Sequence, residues 1–129
     1  MTVKARIFDH GVAWEKGNSV TQGYCVNGTI YISGQFSHDE KGFIDGDIKE
    51  QTRLTLENLD RVLKGFEVTK SNIAYMEIYL TNPQEQFEPF VQVFKEYLDG
   101  HRPAATLIGV TYLASPQQLV EISAVAHAA

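Results

Sequence analysis

Residues 101–127 open with His101-Arg102-Pro103-Ala104-Ala105-Thr106 and continue as an apolar run to Tyr112. A Ser115-Pro116 turn and then Leu119-Val120-Glu121-Ile122-Ser123-Ala124-Val125 follow. Two strand-like segments thus flank a short turn. With the period of two that a strand imposes, Leu119, Glu121, Ser123, Val125 and His127 share one face. Val120, Ile122, Ala124 and Ala126 share the other. One acid, Glu121, stands alone among apolar neighbours. A carboxylate in that position is costly unless it is paired, exposed in a cleft or protonated. Two readings stay open: an edge-strand Glu facing solvent, or a carboxylate in a cleft.

Outward from that stretch, residues 3–8 alternate as a first strand, and residues 9–23, broken by Gly11, Gly17, Asn18 and Gly23, read as a loop. Tyr24-Cys25-Val26 runs into Asn27-Gly28, a two-residue hairpin signal because both positions tolerate positive φ. Thr29 to Ser33 is the return strand, stopping at Gly34, and the stretch from Gln35 to Gly46 is polar. A helix is expected from Asp47, with Glu50 as capping partner, to Gly65. Its apolar stripe is Ile48, Thr52, Thr55, Leu56, Leu59, Val62, Leu63 and Phe66. Residues 72–81 read as a long central strand. Asn82-Pro83 resembles a helix start, but Pro89 would clash inside a continuous helix. The expectation is a turn at 83–87 and a main helix from Glu88 to Leu98, with Phe87, Phe90, Val91, Phe94, Tyr97 and Leu98 inward. The order β, ββ, α, β, α, ββ implies an α+β layer with both helices on one sheet face.

A chain of 129 residues with 43% hydrophobic and 21% charged residues fits one soluble domain, 1–129. No apolar stretch approaches the ~18 residues of a membrane span, and the first residues lack the apolar core of a signal peptide. The single cysteine, Cys25, excludes an intrachain disulfide and suits a reducing, cytoplasmic setting. The net charge of −5 with scattered Lys and Arg argues against a nucleic-acid partner.

Little in the residue types alone announces chemistry. The histidines (His10, His38, His101, His127) show no metal-ligand spacing, so neither a metal nor a cofactor is expected. Ser33 in Ile32-Ser33-Gly34-Gln35 lacks the Gly-x-Ser-x-Gly of a nucleophile elbow. Gly34 would allow close approach of a ligand to the main chain. Cys25 reads as a small buried hydrophobe.

The chain nevertheless resembles the RidA/YjgF family. The resemblance rests on Ile32-Ser33-Gly34-Gln35, on Gln51-Thr52-Arg53 and Glu57-Asn58-Leu59 in the first helix, on Tyr79-Leu80-Thr81, on Arg102-Pro103-Ala104 and on Leu119-Val120-Glu121-Ile122. It implies a chorismate-mutase-like α+β fold, a mixed sheet with two helices on one face, and a homotrimer with clefts between subunits. It implies hydrolysis of reactive enamines and imines to a carbonyl compound and ammonia. In that scheme an arginine clamps the substrate carboxylate, while a backbone donor and a carboxylate activate water. Mapped by the resemblance, Glu121 and Gly34 are the catalytic positions. Ser33, Gln35, Val20, Val91, Ala105 and Leu107 are the substrate-binding ones.

This chain departs from the pattern where the clamp should be. Ala105 stands in place of the arginine, Val20 in place of a tyrosine, Val91 in place of an asparagine and Leu107 in place of a frequent cysteine. Losing the guanidinium removes roughly 1.5–3 kcal/mol per charge-assisted hydrogen bond. Arg102, three residues back along a strand, would face the other way. The drier cleft favours an uncharged or aromatic ligand and should raise the pKa of Glu121. Three readings follow: a deaminase-like hydrolase of altered specificity, a non-catalytic trimeric small-molecule binder, and RNA cleavage, which the charge balance opposes. The apolar face carrying Leu107, Gly109, Val120 and Ile122 is expected to be more than two helices can cover.

Overall fold

Asn27 (φ 52°) and Gly28 (φ 77°) turn the chain between β2 (Gly23–Val26) and β3 (Thr29–Gln35), as the Asn-Gly signal predicts. The computed structural model describes residues 4–128, so Val3 of the first expected strand lies outside the described residues. The other elements are β1 (Ala5–Phe8), α1 (Ala13–Gly17), β4 (His38–Asp39), β5 (Gly42–Phe43), α2 (Ile48–Gly65), a single 3-10 turn (Lys70–Asn72), β6 (Ile73–Leu80), α3 (Pro83–Leu98), β7 (Ala104–Gly109) and β8 (Val120–His127). The main sheet has the order β1-β2-β3-β8-β6-β7, with β4 and β5 forming a separate pair. Only β6 and β7 run parallel within it, joined through α3. The result is a mixed sheet in an α+β fold with α2 and α3 packed on one face.

The alternation read from residues 119–127 decides the layer. Val120, Ile122, Ala124 and Ala126 are buried, together with Ile30, Ile32, Met76, Ile78 and Leu80 from neighbouring strands. Against them α2 lays Leu56, Leu59, Val62 and Leu63, its C-cap adds Phe66, and α3 lays Phe90 and Leu98. Fully burying one such side chain is worth about 1.5–3 kcal/mol. Asp47 caps α2 by accepting from the Glu50 N–H at 2.8 Å. The Glu50 carboxylate does not close the box; it pairs with Arg53 instead.

Several expectations fall to packing. The turn between the last two strands is not short: β7 ends at Gly109 and β8 begins at Val120, leaving Tyr112 exposed, and β8 is inserted between β3 and β6. The 9–23 segment contains α1, held by Glu15, whose carboxylate accepts the N–H groups of His10, Gly11 and Val12 at 2.7–3.1 Å. The polar 35–46 stretch folds into the β4–β5 hairpin. Helix α3 runs straight through Pro89 from Pro83. Its start is capped by the Gln86 side chain, whose Oε1 accepts from Asn82 N–H at 2.9 Å. Burial of Phe90 and Leu98 outweighs the one lost backbone bond. Gln86 thus takes the inward place expected of Phe87, which is exposed. Of the face expected to be more than two helices can cover, Val120 and Ile122 are fully buried, whereas Leu107 is half-buried and Gly109 exposed. The uncovered face is the opposite one, where Ile7, Tyr24 and Tyr31 are exposed.

Candidate functional site

Strand β3 changes phase at residues 33–34. Ile32 pairs with Ala124 and Gln35 with Ile122, so Ser33 and Gly34 together stand opposite Ser123. This is a β-bulge, and it reverses the alternation. Ile30 and Ile32 face the core, and after the extra residue so does Gln35, which is fully buried. Ser33 stays on the uncovered face, its N–H donating to Gln22 O at 2.9 Å and its hydroxyl to Thr21 O at 2.6 Å.

Gly34 meets Glu121 across this bulge. A Cβ built on Gly34 would lie 2.8 Å from Cδ and 3.0 Å from Cγ of Glu121, with Oε2 nearer still. Carbon pairs prefer ~3.5–4.0 Å, so the carboxylate occupies the space a side chain would need. The backbone does not ask for glycine here, since Gly34 is not among the positive-φ residues. The glycine therefore makes room for the acid.

Glu121 is not an edge residue. Strand β8 lies between β3 and β6, with Tyr79 opposite Glu121. The side chain is half-buried, and Oε1 accepts from Gln118 Nε2 at 3.2 Å. Burial raises its pKa above the ordinary carboxylate value, while the Gln118 hydrogen bond pulls it back. On the same face Tyr79 and Tyr75 hydroxyls donate to Glu77 at 2.9 and 3.3 Å. The Tyr79 hydroxyl is held protonated by its hydrogen bond to Glu77, then by burial. The ion pairs among the described residues lie on α2, so none of them neutralises Glu121.

The expected site residues fall into two groups. Glu121, Gly34 and Ser33 come together, and Val20 stands beside them, one residue from the Thr21 carbonyl that Ser33 holds. Ala105 pairs with Met76 and Leu107 with Ile78, which places both on the helix side of the sheet. Glu121 pairs with Tyr79 on the other side. Val91 lies on α3, half-buried against the core, also on the helix side. Within one chain the two groups are separated by the thickness of the sheet. Gln35, expected at the ligand, lies behind the bulge in the core. The inverted-face argument against Arg102 does not apply, because β7 begins only after Pro103. A groove of about 1020 Å³ runs over the outer side of α2 and α3 past Arg53, Asp60 and Tyr97 and does not include Glu121.

Residues 13–128 match the family model described as Endoribonuclease L-PSP. The chain belongs to this family, the RidA/YjgF family that its sequence resembles. Within the RidA/YjgF family it is 34% identical over 112 residues to a Schizosaccharomyces pombe protein named mmf2, mitochondrial, covering 85% of this chain and 88% of that one. It is 31% identical over 107 residues to a RutC family protein of Sulfurisphaera tokodaii, covering 81% and 84%. Among solved structures, a Mycobacterium tuberculosis member of the YjgF/YER057c/UK114 family superposes with a TM-score of 0.85 at 22% identity, over 96% of this chain and 99% of that one. The protein YJGH superposes with the same TM-score of 0.85 at 27% identity, over 94% and 93%.

Sequence reasoning about this RidA/YjgF chain missed the supports of the site. Gln118, between the Ser115-Pro116 turn and the last strand, was not singled out, and Gln22 and His10 lie in the 9–23 segment read as a loop. Glu77 lies in the strand read at residues 72–81 and was not singled out, although its alternation with Tyr75 and Tyr79 places all three on one face. Among the described residues no group of three or more His, Cys, Asp or Glu side chains is placed to hold a metal ion. No helix there is long and apolar enough to cross a membrane.

Proposed function

We propose that the protein hydrolyses a reactive enamine or imine lacking a carboxylate to a carbonyl compound and ammonia, in clefts between the subunits of a homotrimer. The observation that carries this reading is the Glu121 carboxylate seated on Gly34, half-buried and with a raised pKa. A carboxylate poised nearer neutrality suits both halves of the proton traffic. Glu121 takes a proton from water as its oxygen attacks the C=N carbon and hands that proton to the imine nitrogen, giving the neutral carbinolamine. Glu121 then takes the carbinolamine hydroxyl proton and delivers it to the amino nitrogen, the C–N bond breaks, and ammonia leaves as C=O forms. The Gly34 N–H stabilises the oxygen as charge develops on it.

The separation of the two residue groups favours an assembly. Ala105, Leu107 and Val91 of one chain can join Glu121 and Gly34 only if these belong to another. The uncovered stripe of Ile7, Tyr24 and Tyr31 supplies apolar surface for such contact. The absence of a charged side chain at Ala105 favours an uncharged or aromatic substrate. A cytoplasmic setting is proposed from the lone buried cysteine. The relative from S. pombe is named mitochondrial, also compatible with a free thiol.

Ammonia release from freshly generated imines, with and without a carboxylate, tests the reading on wild type and Glu121→Ala. Turnover of uncarboxylated substrates alone, lost in the variant, is the expected result. Turnover of carboxylated imines would mean that another group replaces the arginine. Silence across the panel would favour the second reading, a non-catalytic small-molecule binder, to which the clamp-free Ala105 also points. RNA cleavage fits poorly, since Glu77 and Glu121 would repel phosphate.

A further inference from the structure

We propose that His10 and Gln35 are positioning residues that orient the Ser33–Gly34 peptide, and so the Gly34 N–H, at the candidate site. The inference rests on the proposed role of that N–H. Gln35 Nε2 lies 2.9 Å from Ser33 O and 2.8 Å from Gln22 Oε1. A main-chain carbonyl can only accept, so the Gln35 atom facing it is the NH2 group and both its hydrogens are used. The remaining atom, Oε1, lies 2.8 Å from His10 Nε2 and must accept. His10 therefore carries its proton on Nε2. Its Nδ1 is buried and has no partner among the described residues, as a bare lone pair would require. The ring is packed edge-on against Phe8 and His38, at centroid distances of 5.7 and 5.4 Å, which fixes its plane.

The consequence for Gly34 follows from peptide planarity. The Ser33 C=O and Gly34 N–H belong to one trans peptide unit and point in opposite directions. Ser33 O is held on the side of Gln22, which leads into β2, so the Gly34 N–H points towards β8, where the Glu121 carboxylate rests. A bulge frees this peptide from regular ladder pairing. The Gln35 amide supplies the missing constraint, and His10 fixes the amide. His10 is half-buried and Gln35 fully buried, and neither touches the proposed substrate.

The test uses His10→Gln, His10→Asn and His10→Phe in the full-length chain. A glutamine amide reaches about as far as the imidazole Nε2, an asparagine amide only as far as Nδ1, and phenylalanine keeps the ring but has no N–H. Positioning predicts that Phe and Asn lower kcat about tenfold, short of the ~10²–10³-fold cost of removing such a donor outright, with KM moved less than about threefold. Gln should restore most of the rate. The amide resonance of Gly34 should shift in Phe and Asn and return in Gln. A purely packing role predicts the reverse order, with Phe best, and that order overturns the proposal. If the wild type hydrolyses none of the imines, the hydrolysis reading fails, and the Gly34 resonance alone judges the relay. Displacement by Phe with recovery by Gln upholds it, and an unmoved resonance overturns it. Should Phe fail to fold, the contrast between Gln and Asn decides in the same way.

Discussion

Replacing Gly34 by alanine should cost function more than stability, and the cost should disappear when Glu121 is removed as well. The new Cβ would sit 2.8 Å from Cδ and 3.0 Å from Cγ of Glu121, well inside the ~3.5–4.0 Å optimum. The backbone at Gly34 accepts an L side chain, so only the acid must move. Overpacking of this kind costs about 1–3 kcal/mol, offset by about 0.4–1 kcal/mol from the stiffer unfolded chain. The net for Gly34→Ala is a loss of about 1–2 kcal/mol, or roughly 3–8 °C in Tm. The displaced carboxylate would leave Gln118 and the bulge, and hydrolysis of the imine panel should fall with it. In a Glu121→Ala background the same Gly34→Ala change should be neutral or stabilising. A double-mutant cycle read by urea unfolding should give a coupling of about 1–3 kcal/mol. A coupling below about 0.3 kcal/mol would show that the carboxylate does not rest on Gly34, and the site as built here would fall.

Three further outcomes are expected. Burial raises the pKa of Glu121, so its neutral form is the more stable one: stability contributed below the unfolded value is lost as pH rises through the folded value, and Glu121→Gln should raise Tm at pH 7–8 but not at pH 4. Burial lowers the pKa of His10 and His38 below 6.5. The unfolded chain then binds more protons as pH falls below about 6.5, and stability should drop with a slope of at most about 1.4 kcal/mol per pH unit for each histidine. Urea midpoints between pH 7.5 and 5 would show this slope, and His10→Gln should flatten it. Gly23→Ala, whose Cβ would strike Phe66 Cε2 at 2.5 Å and Val62 Cγ1 at 2.8 Å, should lower stability by about 1–3 kcal/mol, measured by the same unfolding.

What was legible in the sequence was what local periodicity and turn chemistry decide. The Asn27-Gly28 turn, the α2 stripe and the two faces of residues 119–127 were all read correctly, because each depends on neighbours within a few residues. Strand partnership was not legible, because inserting β8 between β3 and β6 depends on contacts distant in sequence. Pro89 misled for a related reason: a local penalty was outweighed by burial of Phe90 and Leu98. The bulge was hidden as well. Ser33-Gly34 read as a strand end, since no pattern in a single strand records that its partner spends one residue fewer. With the bulge unseen, Gln35 was placed at a ligand rather than in the core, and its link to His10 could not be drawn.

The bulge also explains how one short strand serves both the core and the site. Without the extra residue, Gln35 would face the same side as Ser33, and Gly34 would face the helices. The phase change instead sends a glutamine inward, where an amide needs partners and finds Gln22, His10 and the Ser33 carbonyl. It leaves glycine beneath Glu121 on the uncovered face. Burying that amide is tolerable only because both its hydrogens and its oxygen are bonded. The same bonds fix the peptide against which Glu121 rests. Core satisfaction and site geometry are thus one set of hydrogen bonds. The charge at Glu121 is left without a cation from its own chain among the described residues, and its neutralisation falls to a proton, a ligand or another subunit.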